Sequence, residues 1–215
     1  MTFDFVHDTQ VLFRKLLTAT SFPGTVVELG AEAAKIETGS GINAAMIGCA
    51  LTLLDAETTF CVWPQEAWET ERLFRQLTDA RAVAPEDAEF QFVLPGRADA
   101  AGEALRSACV GTLVEPHRGA TLCIEVSAVR GGRATRGAGA HAGAGMLSPG
   151  AGALLIEGPG IKGSAVIEVE GLDPAWVAMR ADRCAEYPLG IDLYLVDDAG
   201  RLIGIPRTSR LSVAG

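Results

Sequence analysis

The sequence predicts an α/β fold: a single domain, 1–215, with a mixed β-sheet flanked by helices. Three observations point there. The first half alternates helical stretches with short apolar runs of strand length. The second half is dominated by period-2 stretches punctuated by glycine, proline and aspartate turns. A chain of 215 residues with 48% hydrophobic composition can bury one sizeable core.

The elements follow in order. Asp8 or Thr9 is placed to cap a first helix carrying Val11, Leu12, Leu16 and Ala19 on one face, and Pro23-Gly24 stops it. Residues 25–29 read as a short strand, followed by a loop of small residues to Gly41. Residues 43–54 form an alanine-rich helix with few polar positions, a composition suited to burial on several sides. Residues 59–63 are a strand. Pro64 opens a helix to Leu77, with Trp68, Leu73, Phe74 and Leu77 inward and Glu71 and Arg75 as an outward i,i+4 pair. Residues 89–94 alternate as a strand, 99–108 read as a helix, and 120–129 alternate as one long strand. Residues 153–157 and 165–169 are two more strands, joined by Gly158-Pro159-Gly160-Ile161-Lys162-Gly163. Asp173-Pro174 starts a helix to Cys184. The chain closes in a hairpin: Ile191, Leu193 and Leu195 alternate with Asp192 and Tyr194, Asp197-Asp198-Ala199-Gly200 turns, and 201–205 returns.

Charge and composition exclude several function classes. The net charge is −9, against the basic footprint of a nucleic-acid binder. No uninterrupted apolar run reaches membrane-spanning length. Met1-Thr2-Phe3-Asp4-Phe5 has neither the cationic nor the apolar region of a secretory signal, so a cytoplasmic location is expected. The five cysteines are odd in number and include no CxxC pair; Cys49, Cys61 and Cys123 read as small buried hydrophobes. His7, His117 and His141 have no metal-ligand spacing to another His, Cys or carboxylate, so no metal is expected. No Gly-x-Ser-x-Gly elbow and no Cys–His pair suggests a nucleophile.

Eleven of the 25 glycines fall within 131–163, and about 131–152 reads as a glycine-rich surface loop. Gly137-Ala138-Gly139-Ala140-His141-Ala142 matches G-x-G-x-x-A in letters only, since neither a strand before it nor a helix after it is present in the pattern. Residues 158–164 lack the GK[ST] ending of a phosphate-binding loop. Arg130, Arg133 and Arg136 recur every three residues and admit two readings, a solvated basic loop or a phosphate contact.

Several words in the chain carry a family resemblance. Phe13-Arg14-Lys15-Leu16-Leu17 runs into Ser21, Pro23 and Gly24; Leu53-Leu54-Asp55 precedes Thr58; Gly111, Pro116, Gly119, Ala120 and Thr121 follow. Then come Leu155-Ile156-Glu157-Gly158-Pro159-Gly160-Ile161, Tyr187-Pro188-Leu189-Gly190-Ile191-Asp192-Leu193, and Ile205-Pro206-Arg207-Thr208-Ser209. In this order the set resembles PhnH, a subunit family of the bacterial carbon–phosphorus lyase system. The resemblance implies a reduced form of the pyridoxal-phosphate-dependent transferase fold without the cofactor; Lys162 stands where the family pattern asks for no lysine. It also implies a homodimer working with PhnG, PhnI, PhnL and PhnJ. With PhnG, PhnI and PhnL it would build ribose 1-methylphosphonate 5-triphosphate from ATP and methylphosphonate, and PhnJ would then cut the carbon–phosphorus bond. On this reading the chain is a non-catalytic or co-catalytic subunit with no cofactor of its own. The rival is a stand-alone enzyme binding a phosphonate or nucleotide at an arginine-lined cleft.

The hairpin brings Asp192 and Arg207 together, each beside a proline. One reading is a structural ion pair. The other, raised by the resemblance, is a polar cleft in which Arg183, Asp192, Arg207 and Thr208 meet an anionic ligand, with Arg130 and Arg133 as further anion contacts.

Overall fold

Period-2 alternation does most of the folding here. The computed structural model describes residues 2–37, 41–97, 99–134 and 153–213. In chain order its elements are α1 (His7–Ser21), β1 (Val26–Glu28), α2 (Gly30–Ala33), α3 (Ala44–Leu53), β2 (Thr59–Trp63), α4 (Trp68–Thr78), β3 (Arg81–Ala82), β4 (Phe90–Val93) and α5 (Ala100–Ser107). There follow β5 (Thr121–Val126), β6 (Ala128–Ala134), β7 (Ala153–Glu157), β8 (Ser164–Glu170), α6 (Trp176–Arg183), β9 (Asp192–Asp197), β10 (Arg201–Ile205) and β11 (Arg210–Val213).

Seven strands form a mixed sheet in the order β1-β10-β9-β5-β4-β2-β3. The five from β9 to β3 run parallel, and β10 and β1 are added antiparallel. The central strands are apolar on both sides, as parallel strands covered on both faces must be. Successive residues part company accordingly. Phe60, Val62, Phe92, Cys123 and Val196 pack with α1, α3 and α4 through Leu12, Leu16, Met46, Ile47 and Phe74. Cys61, Trp63, Leu122, Ile124, Leu193 and Leu195 pack on the opposite face with Leu105 and Trp176 of α5 and α6.

Several expectations need correction. The strands are not one sheet: β11-β7-β8-β6 form a second, antiparallel sheet of four. Its Leu154, Ile156 and Ile167 close the face shared with α5 and α6. The single strand expected over 120–129 is two, because Ser127 donates its N–H to the Glu170 carbonyl (2.9 Å) and the chain leaves the first sheet there. The loop expected from Gly131 begins later, since β6 continues through Ala134 paired to Ser164; residues 135–152, including Arg136 and His141, lie outside the described residues. The fourth helix starts at Trp68, not Pro64: Ala67 N–H closes a turn on the Pro64 carbonyl (2.9 Å). That later start leaves Trp68 61% exposed and buries Thr70, while Phe74 is inward as expected. The first helix is capped by Asp4, whose Oδ1 accepts from the Val6 and His7 N–H groups (2.9 Å each), while Asp8 Oδ2 accepts from Asp4 N–H. Asn43 caps α3 by accepting from Ala45 N–H (2.9 Å). Among the described residues no helix is long and apolar enough to cross a membrane.

Candidate functional site

The family-like words, scattered over the sequence, meet in space. Arg207 follows β10 through Pro206 and directs its donors to two segments. Its backbone N–H reaches Asp192 Oδ1 (2.7 Å), and Nε and Nη2 reach Oδ2 (3.1 and 2.5 Å). Nη1 donates to the Pro116 carbonyl (2.8 Å) and Nη2 to that of Gly119 (3.1 Å). Gly119 lies so close that a Cβ there would collide with the Gly190 carbonyl and with Arg207 Nη1. Gly190 holds φ +140°, a conformation that favours glycine, with Cys184 Sγ 3.0 Å from where its Cβ would stand. Asp192 and Arg207 thus form a fork-like ion pair that also ties the 116–119 turn to the hairpin.

Beside this clamp lies an open cleft of about 580 Å³, between α6 and the segment from Pro206 into β11. Arg180, Tyr187, Arg207, Thr208, Ser209 and Arg210 line it. Thr208 is exposed on the rim. Arg180 is 2% exposed; its Nη1 donates to the Ser209 carbonyl (3.0 Å) and Nη2 to that of Pro206 (2.6 Å). Among the described residues its Nε–H and the buried Ser209 hydroxyl have no partner. Burial lowers the Arg180 pKa, yet a guanidinium stays charged in proteins.

The other expected anion contacts sit elsewhere. Arg183, at the end of α6, donates Nη2 to the Ala108 carbonyl beyond α5 and does not line the cleft. Arg130 stands on β6 and pairs with Glu170 and Glu168 of β8, the latter at 3.6 Å. Those carboxylates, the hydrogen bond to Glu170 first, raise its pKa. Arg133 pairs through its backbone with Ala165 in the same sheet, and its side chain lies outside the described residues.

A second hollow, about 470 Å³, opens at the carboxyl ends of β4 and β5, where ligands bind in parallel sheets. Glu125, Ser127, Asp173, Trp176 and Asp198 are on its walls. Burial first, and then the neighbouring Asp198 charge, push the Glu125 carboxyl up to about 7, against a hydrogen bond from Asn43. A carboxyl poised there can both give and take a proton near neutrality.

The lysines do not suit a Schiff-base cofactor. Lys15 pairs with Glu32, Lys35 with Asp8 at 2.7 Å, and Lys162 is exposed on the turn between β7 and β8. None is on the wall of either hollow. Cys49, Cys61 and Cys123 are buried, as their apolar settings suggested. Burial pushes the Cys61 thiol up to about 12; a hydrogen bond with Cys49 and burial hold Cys123 well above its usual range, the reverse of an activated nucleophile.

Sequence reasoning missed Arg180, Ser209, Glu125 and Asp198. Arg180 falls one helical turn after Trp176, so the i,i+4 spacing with a buried aromatic was its one available signal. Glu125 looked like the solvent side of an alternating strand.

The family described as bacterial phosphonate metabolism protein (PhnH) matches residues 2–212. The C-P lyase subunit protein HtxG of Stutzerimonas stutzeri is 32% identical over 209 residues, covering 96% of this chain and 87% of that protein. The alpha-D-ribose 1-methylphosphonate 5-triphosphate synthase subunit PhnH of Rhizobium meliloti (strain 1021) is 29% identical over 216 residues, covering 97% of this chain and 92% of that one. With nearly every residue from the first helix to the last strand inside the match, the chain belongs to the PhnH family of bacterial phosphonate metabolism proteins.

Proposed function

We propose that this chain is the PhnH subunit of a carbon–phosphorus lyase system. As a cytoplasmic homodimer it assembles with PhnG, PhnI and PhnJ and supports the formation of ribose 1-methylphosphonate 5-triphosphate from ATP and methylphosphonate. The observation that carries this reading is the near end-to-end match to a subunit of that synthase. Its role is non-catalytic or co-catalytic, and its fold is a reduced transferase fold related to the pyridoxal-phosphate enzymes. Exposed apolar side chains support an assembly role: Val6, Phe13 and Leu17 recur at intervals of seven and four, which puts them on one outward stripe of α1, and Phe22 extends it.

The test is co-purification of the tagged chain with PhnG, PhnI and PhnJ, with the mass of the assembly read by light scattering. A stoichiometric complex is expected. A lone dimer under the same conditions defeats the subunit role. A second reading has the isolated dimer bind a phosphonate or nucleotide at the arginine-lined cleft. Arg207 and Thr208 on its wall favour this, with Asp192 orienting Arg207 and Arg183 bracing α6 behind it.

A further inference from the structure

Burying a guanidinium without an anion is unfavourable, because its hydration is lost and carbonyl dipoles return only part of it. Arg180 is in that position. Two of its five N–H groups meet the Pro206 and Ser209 carbonyls, its Nε–H meets nothing, and among the described residues it pairs with no carboxylate. The nearby Asp192 is committed to Arg207 through both oxygens. The surroundings deepen the imbalance. The chain carries 27 acidic residues against 18 basic ones, yet among the described residues the cleft that Arg180 lines has three arginines on its wall and no acid. Ser209, 3% exposed and on the same wall, holds a hydroxyl with no partner. Two buried donors without a partner among the described residues, on a wall that also carries Arg207, Arg210 and the Thr208 hydroxyl, give the cleft the chemistry of an anion receptor.

We infer that this cleft binds the tetrahedral oxyanion of a phosphate or phosphonate group, with Arg180 and Ser209 at its floor and Arg207, Arg210 and Thr208 around it. Donors on several walls suit an anion that offers three oxygens in different directions better than a planar carboxylate. The ligand supplies the charge that Arg180 lacks, while Asp192 already balances that of Arg207. This inference deepens the anion reading given above and rests on it.

Calorimetric titration of the purified full-length chain, at low ionic strength, with inorganic phosphate, methylphosphonate and ATP in separate arms tests the site. Saturable binding and a raised melting temperature are expected. Ser209→Ala weakens binding about tenfold, the loss of one hydrogen bond to a charged group. Arg180→Gln abolishes binding, and Arg180→Lys, which keeps the charge but not the Nε–H, falls between. If the Arg180 variants do not fold, Ser209→Ala and Arg210→Gln, which touch no buried charge, decide the matter. The arm that binds most tightly identifies the source: phosphate itself, a phosphonate substrate, or a nucleotide. No saturable binding of any probe by the wild-type chain overturns the inference, as does binding that Ser209→Ala and Arg210→Gln leave unchanged. Because assembly with PhnG, PhnI and PhnJ is read separately, a chain that assembles but ignores all three probes fails here alone.

Discussion

At the scale of single residues, three carboxylates divide the electrostatic work. Asp192 is the acceptor of a fork whose donor, Arg207, also spans two carbonyls. An ammonium cannot reach all three, so Arg207→Lys is expected to lower unfolding free energy by about 2 kcal/mol in urea titrations. Asp197 is fully buried and accepts from the N–H groups of Val129, Ala199 and Arg201 (3.1, 3.0 and 2.9 Å) and from Arg201 Nε (2.7 Å). Burial alone would raise its pKa; the Arg201 side chain and these N–H groups outweigh burial and hold it below the ordinary range. Its stabilisation is therefore present above an unfolded carboxyl pKa of about 3.9 and lost as pH falls through the lower folded value. Glu125 has the opposite sign. With its folded pKa raised to about 7, the native state holds the extra proton, so stability falls as pH rises from the ordinary glutamate value to about 7. Glu125→Gln should remove that slope: relative to wild type it gains stability between about pH 5 and pH 8, measured by urea unfolding at each pH. An unchanged difference across that interval means Glu125 is ionised throughout.

At the scale of elements, the glycines of the family-like words are junctions, and this gives those words a physical content that periodicity did not reveal. Gly24, at φ +84°, lets the chain leaving α1 press on β7 and β8, where a Cβ would stand 3.0 Å from Ala165 and 3.1 Å from Ile156. Gly160, at φ +83°, lies against Ser21, whose carbonyl a Cβ would strike, and Pro23 at 3.1 Å. Gly158 approaches the Thr208 carbonyl and Ser209 in the same way. The turn after β7 is thus packed between the end of α1 and the segment that walls the arginine cleft. Gly160→Ala combines left-handed strain with a backbone collision. It should cost about 3 kcal/mol and lower the melting temperature by roughly 6–12 °C. Gly163→Ala is the control, since Gly163 has φ +84° but open space around its Cβ position. It should cost only the strain, about 1 kcal/mol. Equal losses in the two variants would assign the effect to backbone conformation and not to the junction. The elements themselves were largely legible: strands at 59–63, 153–157 and 201–205 match their apolar runs to the residue. The misplaced start of α4 shows the limit. A proline marks where a helix can begin, but only the turn closed by Ala67 sets its phase, and with it the exposure of Trp68.

At the scale of the whole molecule, what stayed illegible was pairing between distant segments. Local alternation gives a strand its two faces but no partner, so a single mixed sheet and a seven-plus-four division look alike in sequence. The second sheet depends on β11 reaching back to β7 and on β6 and β7 meeting β8 from opposite sides. Arg180 escaped for a related reason: its burial exists only because the residues from Pro206 to Ser209 fold over α6. The same topology makes a strong statement about the glycine-rich stretch. β6 and β7 are both antiparallel to β8, so they run parallel to each other on either side of it. Ala134 lies opposite Ser164 and Ala153 opposite Glu168, so the connection must cross two strand spacings and run back along four residues of β8. At about 4.8 Å per strand and about 3.4 Å per residue, those ends are roughly 17 Å apart. A parallel crossover needs about a dozen residues to clear the intervening strand, and 135–152 supplies more than that. Replacing 135–152 with a twelve-residue Gly/Ser linker should therefore leave unfolding free energy within about 0.5 kcal/mol of wild type, since loop-closure entropy changes only logarithmically with length. The same variant should bind phosphate as wild type does, because the described residues that line the cleft around Arg180 all lie outside that stretch. A collapse of stability on replacement, read by thermal melting, would show that the stretch packs on the molecule. Lost affinity at unchanged stability would place Arg136 in the cleft.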